Sequence, residues 1–440
     1  MQQMKQACMK WIGNVPKDWN YMPIRNILIE RLGGHWGNDL EEESDSTICL
    51  RIADFDFNKG RFKKLKEENY TKRQYSELVK SKYKLRNGDI LIEKSGGGEK
   101  TPVGRCVIFD LNQECVFANF MDRLRVNTKF ADPRFVQYWL MGWYFCKSSP
   151  YYINQTTGLQ NIDLTMMLAK EKIYYPTLLK QLNIIKYLDK KCGEIDGLIS
   201  DIEKEIEVLT QYKKSIITET VTRGLDKNTK LKSTDIKWLP FLPEMWSYKK
   251  AKYLFVQRTT KGNKNLQLLS PTQKFGVIPQ DLYEELSGMV AVKVNEKTDL
   301  GLFKTINKGD FCISLRSFEG GFEFSNYDGV VSPAYTVFYP KINCDRQYFK
   351  YLFKTQIFID EMNSYSLSLR DGKPISFFNF GNTYIPLPSI QEQKEIAEYL
   401  DKKCKEIDAI LEDKNKQLEI LESYKKSIIY EYVTGKKEVK

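Results

Sequence analysis

The sequence predicts an α+β protein with a pseudo-two-fold repeat: two globular α+β domains separated by two long helices that form an antiparallel coiled coil. The first observation behind this prediction is that the run YLDKKC at residues 187–192 returns at 399–404, 212 residues later. The second is that YKKSII at 212–217 returns at 424–429 with the same offset. Two identical runs in one register indicate a chain made of two copies of one unit.

Each copy opens with a Trp–Pro–Trp segment, WIGNVPKDW at 11–19 and WLPFLPEMW at 238–246, 227 residues apart. Since this offset is larger than that of YLDKKC, the second copy is shorter between its ends. The segments between, about 20–172 and 247–382, mix β-branched and aromatic runs with Gly, Asn and Asp turns, which is typical of compact α+β domains. Gly-Asp pairs at 88–89 and 309–310 predict matching turns, each followed by a buried strand.

A long helix is predicted after each α+β segment, because apolar residues recur there in alternating steps of four and three. The predicted seam consists of Leu188, Ile195, Ile199, Ile202, Ile206, Leu209, Leu400, Ile407, Leu411, Leu418, Leu421 and Ile428. Such a stripe needs a partner, and the second helix can supply it. Forty-odd helical residues at about 1.5 Å each give a spacer on the order of 60 Å. The seam is interrupted by Lys213, Lys414 and Lys425. Such lysines can fix the register of the two helices, or can pack their methylene chains on the seam while the ammonium group stays in water. Contact with a partner protein is the other alternative.

Composition favours a cytoplasmic protein with an acidic partner. Of 440 residues, 42% are hydrophobic and 28% charged, with a net charge of +11. A basic chain of pI 8.9 favours nucleic acid as that partner. Nine cysteines without a C-x-x-C pair predict reduced thiols. No apolar run reaches the roughly 20 residues of a membrane helix, and residues 1–6 lack the apolar core of a signal peptide.

Motifs for catalysis are incomplete. The one histidine, His35, lies in a Gly-rich segment that favours a solvated or structural role. SGGGEKT at 95–101 has Glu99 where a phosphate loop needs Gly, and so favours a basic loop beside a nucleic-acid backbone or a plain surface loop. DPRF at 132–135 resembles a methyltransferase tetrad, but an Asp N-cap followed by Pro explains it more simply. We therefore expect no catalytic, metal or cofactor site in this chain.

Basic, amide and hydroxyl side chains in the two α+β segments are the candidates for DNA contact. Amides and Arg suit base edges, while Lys and hydroxyls suit phosphates. A solvated surface is the alternative for each. The first segment offers Arg51, Lys59, Arg61, Lys63, Lys94, Ser95, Lys100, Arg105, Asn154, Gln155, Thr157 and Gln160. The second offers Gln273, Lys274, Arg316, Ser366, Ser368, Arg370 and Lys373.

Three motifs resemble those of the specificity subunits of Type I restriction-modification enzymes: WIGxVPxxW at 11–19, VTRGLD at 221–226 and IPLPSIQEQKEI at 385–396. Pro240 and the run YPTLLKQ at 175–181 depart from the family pattern. The resemblance implies two target-recognition domains, each reading half of an asymmetric bipartite DNA site. It also implies helices that set the spacer and dock two methyltransferase subunits. S-adenosylmethionine, ATP and catalysis would then belong to partner subunits, including restriction/translocase subunits.

The predicted limits are 1–176 for the N-terminal target-recognition domain, 177–223 for the first long helix and 224–237 for a linker. They are 238–386 for the C-terminal target-recognition domain and 387–435 for the second long helix. Two other functions stay open at this point. One is a coiled-coil adaptor that holds protein partners without sequence-specific DNA binding. The other is a stand-alone methyltransferase or nuclease, which would bind S-adenosylmethionine or metal itself.

Overall fold

The computed structural model describes residues 3–40, 46–262, 265–289, 300–314, 321–365 and 375–439. The chain divides into two compact units. Unit 1 comprises Met1–Lys204 and Lys414–Lys440, and unit 2 comprises Glu205–Asp413. None of the helices in these ranges combines the length and the apolar character needed to cross a membrane.

Unit 1 is an α+β structure with one long helix that continues beyond it. Its strands are β1 Met4–Gln6, β2 Asn14–Pro16, β3 Asn20–Pro23, β4 Leu28–Gly33, β5 Ser46–Leu50, β6 Phe55–Asp56, β7 Arg61–Phe62, β8 Lys72–Gln74, β9 Ile90–Glu93, β10 Ser95–Gly96, β11 Cys106–Ile108, β12 Cys115–Phe117, β13 Met121–Val126, β14 Ile153–Thr157, β15 Leu159–Ile162 and β16 Lys172–Tyr175. The helices that begin in it are α1 Ile24–Ile27, α2 Glu77–Tyr83, α3 Pro133–Phe145, α4 Leu164–Lys170 and α5 Leu178–Arg223.

A six-stranded sheet organises unit 1, with strand order β4-β13-β9-β11-β7-β6. Its neighbours are antiparallel except for β11 and β7, which are parallel. Helix α3 packs on this sheet and contributes Trp139 and Trp143, both fully buried, to the core. Smaller sheets with orders β12-β5-β8 and β10-β15-β14 complete the α+β part.

The start of α3 explains the DPRF tetrad. The Asp132 carboxylate accepts a hydrogen bond from the Arg134 backbone N–H at 2.8 Å, and Pro133 occupies the first helical position. Proline lacks an N–H, and an N–H at this position would have no acceptor within the helix. The interpretation of the tetrad as a helix cap is confirmed.

The two Gly-Asp turns have matching geometry. Gly88 and Gly309 have φ values of 90° and 89°, in the left-handed region that glycine adopts without strain. Asp89 accepts from the backbone N–H of Arg86 at 2.8 Å, and Asp310 accepts from that of Asn307 at 3.0 Å. Buried strands follow both turns, as the sequence predicts.

Unit 2 repeats this plan with different strand lengths. Its strands are β17 Leu231–Ser233, β18 Phe241–Pro243, β19 Ser247–Lys250, β20 Phe255–Gln257, β21 Leu269–Thr272, β22 Gly276–Pro279, β23 Lys304–Ile306, β24 Phe311–Ile313, β25 Phe322–Phe324, β26 Gly329–Val331, β27 Thr336–Pro340 and β28 Tyr384–Leu387. The helices are α6 Ala251–Leu254, α7 Gln280–Ser287, α8 Arg346–Leu352, α9 Gln356–Ser364, α10 Phe377–Asn382 and α11 Ile390–Val433.

The core of unit 2 is dominated by phenylalanine. A four-stranded antiparallel sheet of order β20-β27-β24-β25 carries Phe255, Phe311 and Phe338. Their rings meet Phe353, which follows α8, and Phe380 of α10 at centroid distances of 4.7 to 6.1 Å. Edge and offset contacts of this kind add to the free energy gained by burying the rings.

The long helices pair antiparallel inside each unit. In unit 1 the rings of Tyr187 and Tyr432 lie 4.4 Å apart, and further along Asp196 contacts Lys425. In unit 2 Lys213 contacts Asp408 at 2.6 Å. Gly224, just after α5, lies close to Glu392 in the first turn of α11: a Cβ atom added to this glycine would be 3.2 Å from the Glu392 side chain. These pairs run in opposite directions along the two helices, as the predicted antiparallel arrangement requires.

Every predicted seam residue is buried or half-buried, although the degree varies along the helices. Four of the seam residues nearest the α+β parts are 5% exposed or less: Leu188, Ile195, Leu400 and Ile407. Seam residues towards the middle of each helix are half-buried: Ile199, Ile202, Ile206, Leu209, Leu411, Leu418 and Leu421. Ile428, near the end of α11, is again buried. The division between the units falls within α5 and α11 because each half-helix packs into a different core.

The second long helix starts later than the sequence predicts. Leu387 belongs to β28, and α11 begins at Ile390. Pro386 and Pro388 favour extended backbone on the residues before them, which delays the helix. Ser389 then accepts a hydrogen bond from the Glu392 N–H at 3.2 Å and caps the first turn.

Candidate nucleic-acid interface

A hairpin of β14 and β15 brings several predicted residues together. Asn154 lies opposite Asn161, Gln155 lies opposite Gln160, and Gly158 forms the tip with a φ of 76°. β10 extends this hairpin on the β15 side, where the Ser95 hydroxyl donates to Asn161 Oδ1 at 2.5 Å. The side chains of Asn154 and Gln155 are exposed. We call Ile153–Ile162 with Ser95–Gly96 the amide hairpin.

Two other predicted residues of this stretch have different positions. Gln160 is buried, and its Oε1 accepts from the Val103 N–H at 3.3 Å, so it anchors the neighbouring loop instead of facing solvent. Thr157 belongs to β14, but its side chain lies outside the described residues. The exposed amides at this site are therefore those of Asn154, Gln155 and Asn161.

The glycine-rich loop beside the hairpin is a closed turn. Gly98 and Thr101 exchange two backbone hydrogen bonds of 3.1 and 3.2 Å. Those N–H groups are consequently not arranged to cradle a phosphate, which agrees with the incomplete sequence motif. Lys100 is exposed on this turn. A basic side chain on a loop next to the amide hairpin is suited to contact a phosphate.

Lys94 and Arg105 are engaged with buried acids. Lys94 Nζ lies 3.1 Å from Asp122, and Arg105 makes two hydrogen bonds of 2.9 Å to Glu93. The two acids are 2% and 1% exposed, so each cation offsets the cost of burying a carboxylate. Arg105 also lies over the Phe57 ring at 3.7 Å. Both cations therefore stabilise buried carboxylates, and their contact with phosphate stays a prediction.

Arg51, Lys59, Arg61 and Lys63 form a second group, on and around β6 and β7. Their respective partners are Asp54 at 3.9 Å, Asp56 at 3.6 Å, Asp110, and the Ala53 carbonyl at 2.8 Å. In the same turn the Asn58 carbonyl accepts from Lys425 on α11 at 2.5 Å. This group therefore borders the long helix. The Lys59 side chain is 62% exposed, more than those of Arg51 and Arg61.

Of the predicted residues in unit 2, Gln273 and Lys274 are described. They occupy the exposed turn between β21 and β22, where Thr272 Oγ1 accepts from the Phe275 N–H at 3.0 Å. Arg316, Ser366, Ser368, Arg370 and Lys373 lie outside the described residues.

Sequence reasoning missed two exposed aromatic residues beside the amide hairpin. Phe120 is 52% exposed, and its carbonyl accepts from the N–H groups of Lys94 and Ser95 at 2.8 and 3.2 Å. Tyr151 is 83% exposed and lies just before β14. Neither belongs to a periodic pattern, so only the fold brings them to this surface.

His35 is exposed and makes local contacts, in line with the solvated or structural role that its surroundings favour. Its Nδ1 accepts from the Gly37 N–H at 3.0 Å, and its ring lies 5.3 Å from that of Tyr83. Across the described ranges, no group of three or more His, Cys, Asp or Glu side chains is placed to hold a metal ion.

The repeated YLDKKC runs join the long helices to the α+β parts. In unit 1 Asp189 accepts from Arg134 and from the Tyr138 hydroxyl, both at 2.7 Å. In unit 2 the matching Asp401 accepts from the Tyr351 hydroxyl at 2.5 Å. Burial of the neighbouring thiol raises the pKa of Cys192 to about 11. The repeat is therefore a framework that holds the variable α+β parts.

Comparison with known proteins shows similarity to one group of proteins. Residues 249–420 match the family described as the Type I restriction modification DNA specificity domain. The chain is 25% identical over 449 residues, 98% of its length and 96% of the relative's, to the putative type I restriction enzyme MjaX specificity subunit of Methanocaldococcus jannaschii. The chain is therefore similar to the specificity subunits of type I restriction enzymes.

Two further similarities lie within this group. The type I restriction enzyme MjaVIII specificity subunit of the same organism is 27% identical over 349 residues, 75% of this chain and 76% of that subunit. The fold matches a chain of a solved structure on complex assembly and conformational transition of the type I R-M system, with a TM-score of 0.61. That match covers 95% of this chain and 98% of the solved chain at 14% identity.

Proposed function

We propose that this chain is the DNA sequence-recognition subunit of a Type I restriction-modification complex, in which each α+β domain reads one half of an asymmetric bipartite site. The observation that carries the proposal is a duplicated helical framework with two unlike α+β parts attached. Two copies of one helical framework suit binding of two copies of one partner protein. Two unlike α+β domains suit two half-sites of different sequence. Similarity to type I restriction enzyme specificity subunits supports the same function.

The amide hairpin is the DNA-reading element that we propose for unit 1. The major groove of B-DNA admits a two-stranded β-ribbon, and Asn or Gln can pair with both N6 and N7 of adenine. Asn154 and Gln155 are exposed on one strand of such a ribbon. Lys100 on the adjacent turn is suited to the phosphate backbone and would position the ribbon without reading sequence.

The helices provide the framework of the proposed complex. They set the spacer between the half-sites and dock two methyltransferase subunits, as their duplicated runs favour. Restriction/translocase subunits join this cytoplasmic assembly. The chain itself is non-catalytic in this proposal, and S-adenosylmethionine and ATP are bound by the partner subunits.

Sequencing of methylated adenines in the host genome tests the proposal. We expect a bipartite methylated motif in the parent strain, its loss when this gene is deleted, and its return on complementation. Methylation unchanged by the deletion would contradict the proposal. A complex that binds DNA with neither sequence preference nor salt dependence would instead favour a protein adaptor.

A further inference from the structure

The ends of the two long helices differ at two positions inside an otherwise repeated segment. After YKKSII, α5 has Thr218 and Thr220, whereas α11 has Tyr430 and Tyr432 at the matching places. The identity returns one residue later, with Val-Thr at 221–222 and at 433–434. Each threonine therefore occupies the place of a tyrosine in the same framework.

In unit 1 the two tyrosines fill the space beside the helix end. The Tyr430 hydroxyl lies 3.0 Å from the carbonyl oxygens of both Trp11 and Ile12, and its ring is 6.4 Å from that of Trp11. The Tyr432 ring packs at 4.4 Å from Tyr187 and is 8% exposed. Both side chains are thus part of the packed surface of this unit.

In unit 2 the matching places are surface cavities that are open to solvent. One, of about 620 Å³, is lined by Thr218 together with Trp238 and Leu239, the counterparts of Trp11 and Ile12. The other, of about 350 Å³, is lined by Thr220 and Tyr399, the counterpart of Tyr187. Each cavity is therefore bordered by the residues that hold a tyrosine in unit 1.

The walls of these cavities suit an aromatic side chain with a polar end. Phe241 and Ile357 add apolar surface to the larger cavity, and Phe241 is 51% exposed. Glu219 and Arg223 border both cavities and offer hydrogen-bonding groups. Tyrosine and tryptophan combine an apolar ring with one polar atom and dominate protein interfaces for that reason.

The surface next to the smaller cavity is duplicated in unit 1. Tyr212 and its counterpart Tyr424 are 53% and 52% exposed. Lys403 pairs with Glu406 at 2.8 Å, and Lys191 pairs with Glu194 at the same distance. Packing of the core does not require exposed side chains to be identical. Their identity in both copies therefore favours contact with two copies of one partner protein.

We propose that the two docking places for methyltransferase subunits are unequal. The cavities of unit 2 receive aromatic side chains of one subunit, whereas in unit 1 Tyr430 and Tyr432 already occupy those places. The first methyltransferase subunit therefore binds at unit 2, and the second binds more weakly at unit 1. This inference rests on the proposed function, which supplies the two like partners.

Titration of the full-length chain with the host's methyltransferase subunit, followed by native mass spectrometry, tests the inference. We expect two dissociation constants that differ by at least tenfold in the unmodified chain. In the double variant Thr218→Tyr, Thr220→Tyr, the tighter constant should weaken at least tenfold and approach the other. Val208→Tyr, on the exposed face of α5, is the matched control and should leave both constants unchanged.

The possible results distinguish failure of this inference from failure of the proposed function. Two equal dissociation constants in the unmodified chain would overturn this inference and leave the proposed function standing. A double variant that binds like the unmodified chain would do the same. That second result is also expected if a small molecule, and not the methyltransferase subunit, fills the cavities. Absence of any binding by the unmodified chain would overturn the proposed function as well. Thermal unfolding shows whether the double variant is folded. If it is not, the single variant Thr220→Tyr replaces it. We expect this single change to weaken the tighter dissociation constant at least threefold.

Discussion

The Nζ of Lys425 on α11 donates a hydrogen bond to Asp196 on α5 within unit 1. The matching residues 212 positions away form the reciprocal pair in unit 2, where Lys213 of α5 donates to Asp408 of α11 at 2.6 Å. Both lysines interrupt the apolar seam. Because each is held by a carboxylate on the other helix, a shift of either helix would break the pair, which favours the register role over snorkelling.

We expect the two pairs to differ in their contribution to stability. Lys425 and Asp196 side chains are 9% and 15% exposed, whereas those of Lys213 and Asp408 are 26% and 57% exposed. Lys425→Met leaves a nearly buried carboxylate unpaired and should lower the free energy of unfolding by about 3 kcal/mol. Lys213→Met should cost less than about 1 kcal/mol. Denaturant unfolding followed by circular dichroism measures both, and equal losses would contradict the expectation.

The aspartates of the YLDKKC runs allow a second matched comparison. Asp189 accepts from charged Arg134 and from Tyr138, while Asp401 accepts from Tyr351. Asp189→Asn removes the negative charge that pairs with Arg134 and should destabilise the protein by about 2 kcal/mol. Asp401→Asn keeps an acceptor for the tyrosine and should cost less than about 1 kcal/mol. Thermal unfolding of the two variants side by side is the measurement, and a larger effect of Asp401→Asn would refute this reasoning.

The sequence predicts the framework better than the interface, for a physical reason. Repeats, heptads, the cap at Asp132 and the turn at Gly88 depend on residues close in the chain. Whether a cation is available to DNA depends on distant partners. Arg105 bonds to Glu93 on the neighbouring strand β9, and Gln160 is fixed by the Val103 backbone. No local pattern marks these pairings, so the sequence alone does not show which cations also stabilise buried groups.

This distinction changes the expected effect of neutralising the cations near the amide hairpin. Lys100→Ala should weaken DNA binding several-fold for all sequences and reduce the salt dependence by about one ion, with an unchanged melting temperature. Arg105→Ala should instead lower the melting temperature, because it leaves the buried Glu93 without its cation. Fluorescence anisotropy over a salt series, together with thermal unfolding, measures both effects. A Lys100→Ala variant with the parent salt dependence would remove this residue from the interface.

The proposed reading role of the amide hairpin predicts a change confined to one half of the bipartite site. Asn154→Ala with Gln155→Ala removes two exposed amides and should reduce discrimination by about 1–3 kcal/mol for each base that the hairpin no longer reads. The other half-site should still be required. Sequencing of methylated adenines in a strain carrying the variant shows which half is relaxed. Asn183→Ala, on the exposed surface of α5, serves as the control. Methylation that stays confined to the parent motif in the double variant would contradict the assignment.

The buried thiols of unit 1 should resist alkylation. Burial raises the pKa of Cys192 to about 11 and that of Cys106 to about 12, while Cys8 is exposed. At pH 8 only about one Cys192 thiol in a thousand is the reactive thiolate. A raised thiol pKa means that the folded chain holds this proton more tightly than the unfolded chain. The resulting stability is present below the ordinary thiol pKa and is lost as the pH rises through about 11.

Iodoacetamide labelling at pH 8, read by peptide mass spectrometry, tests this expectation. At pH 8 Cys8 should be modified first, and Cys192 and Cys106 should react far more slowly until denaturant exposes them. The labelling rate of Cys192 should rise about tenfold for each pH unit between 8 and 10, because the thiolate fraction rises by that factor. Equal labelling of Cys8 and Cys192 in the folded chain would show that the packing between α5 and the core of unit 1 opens readily, and would contradict the close packing of the helix against that core.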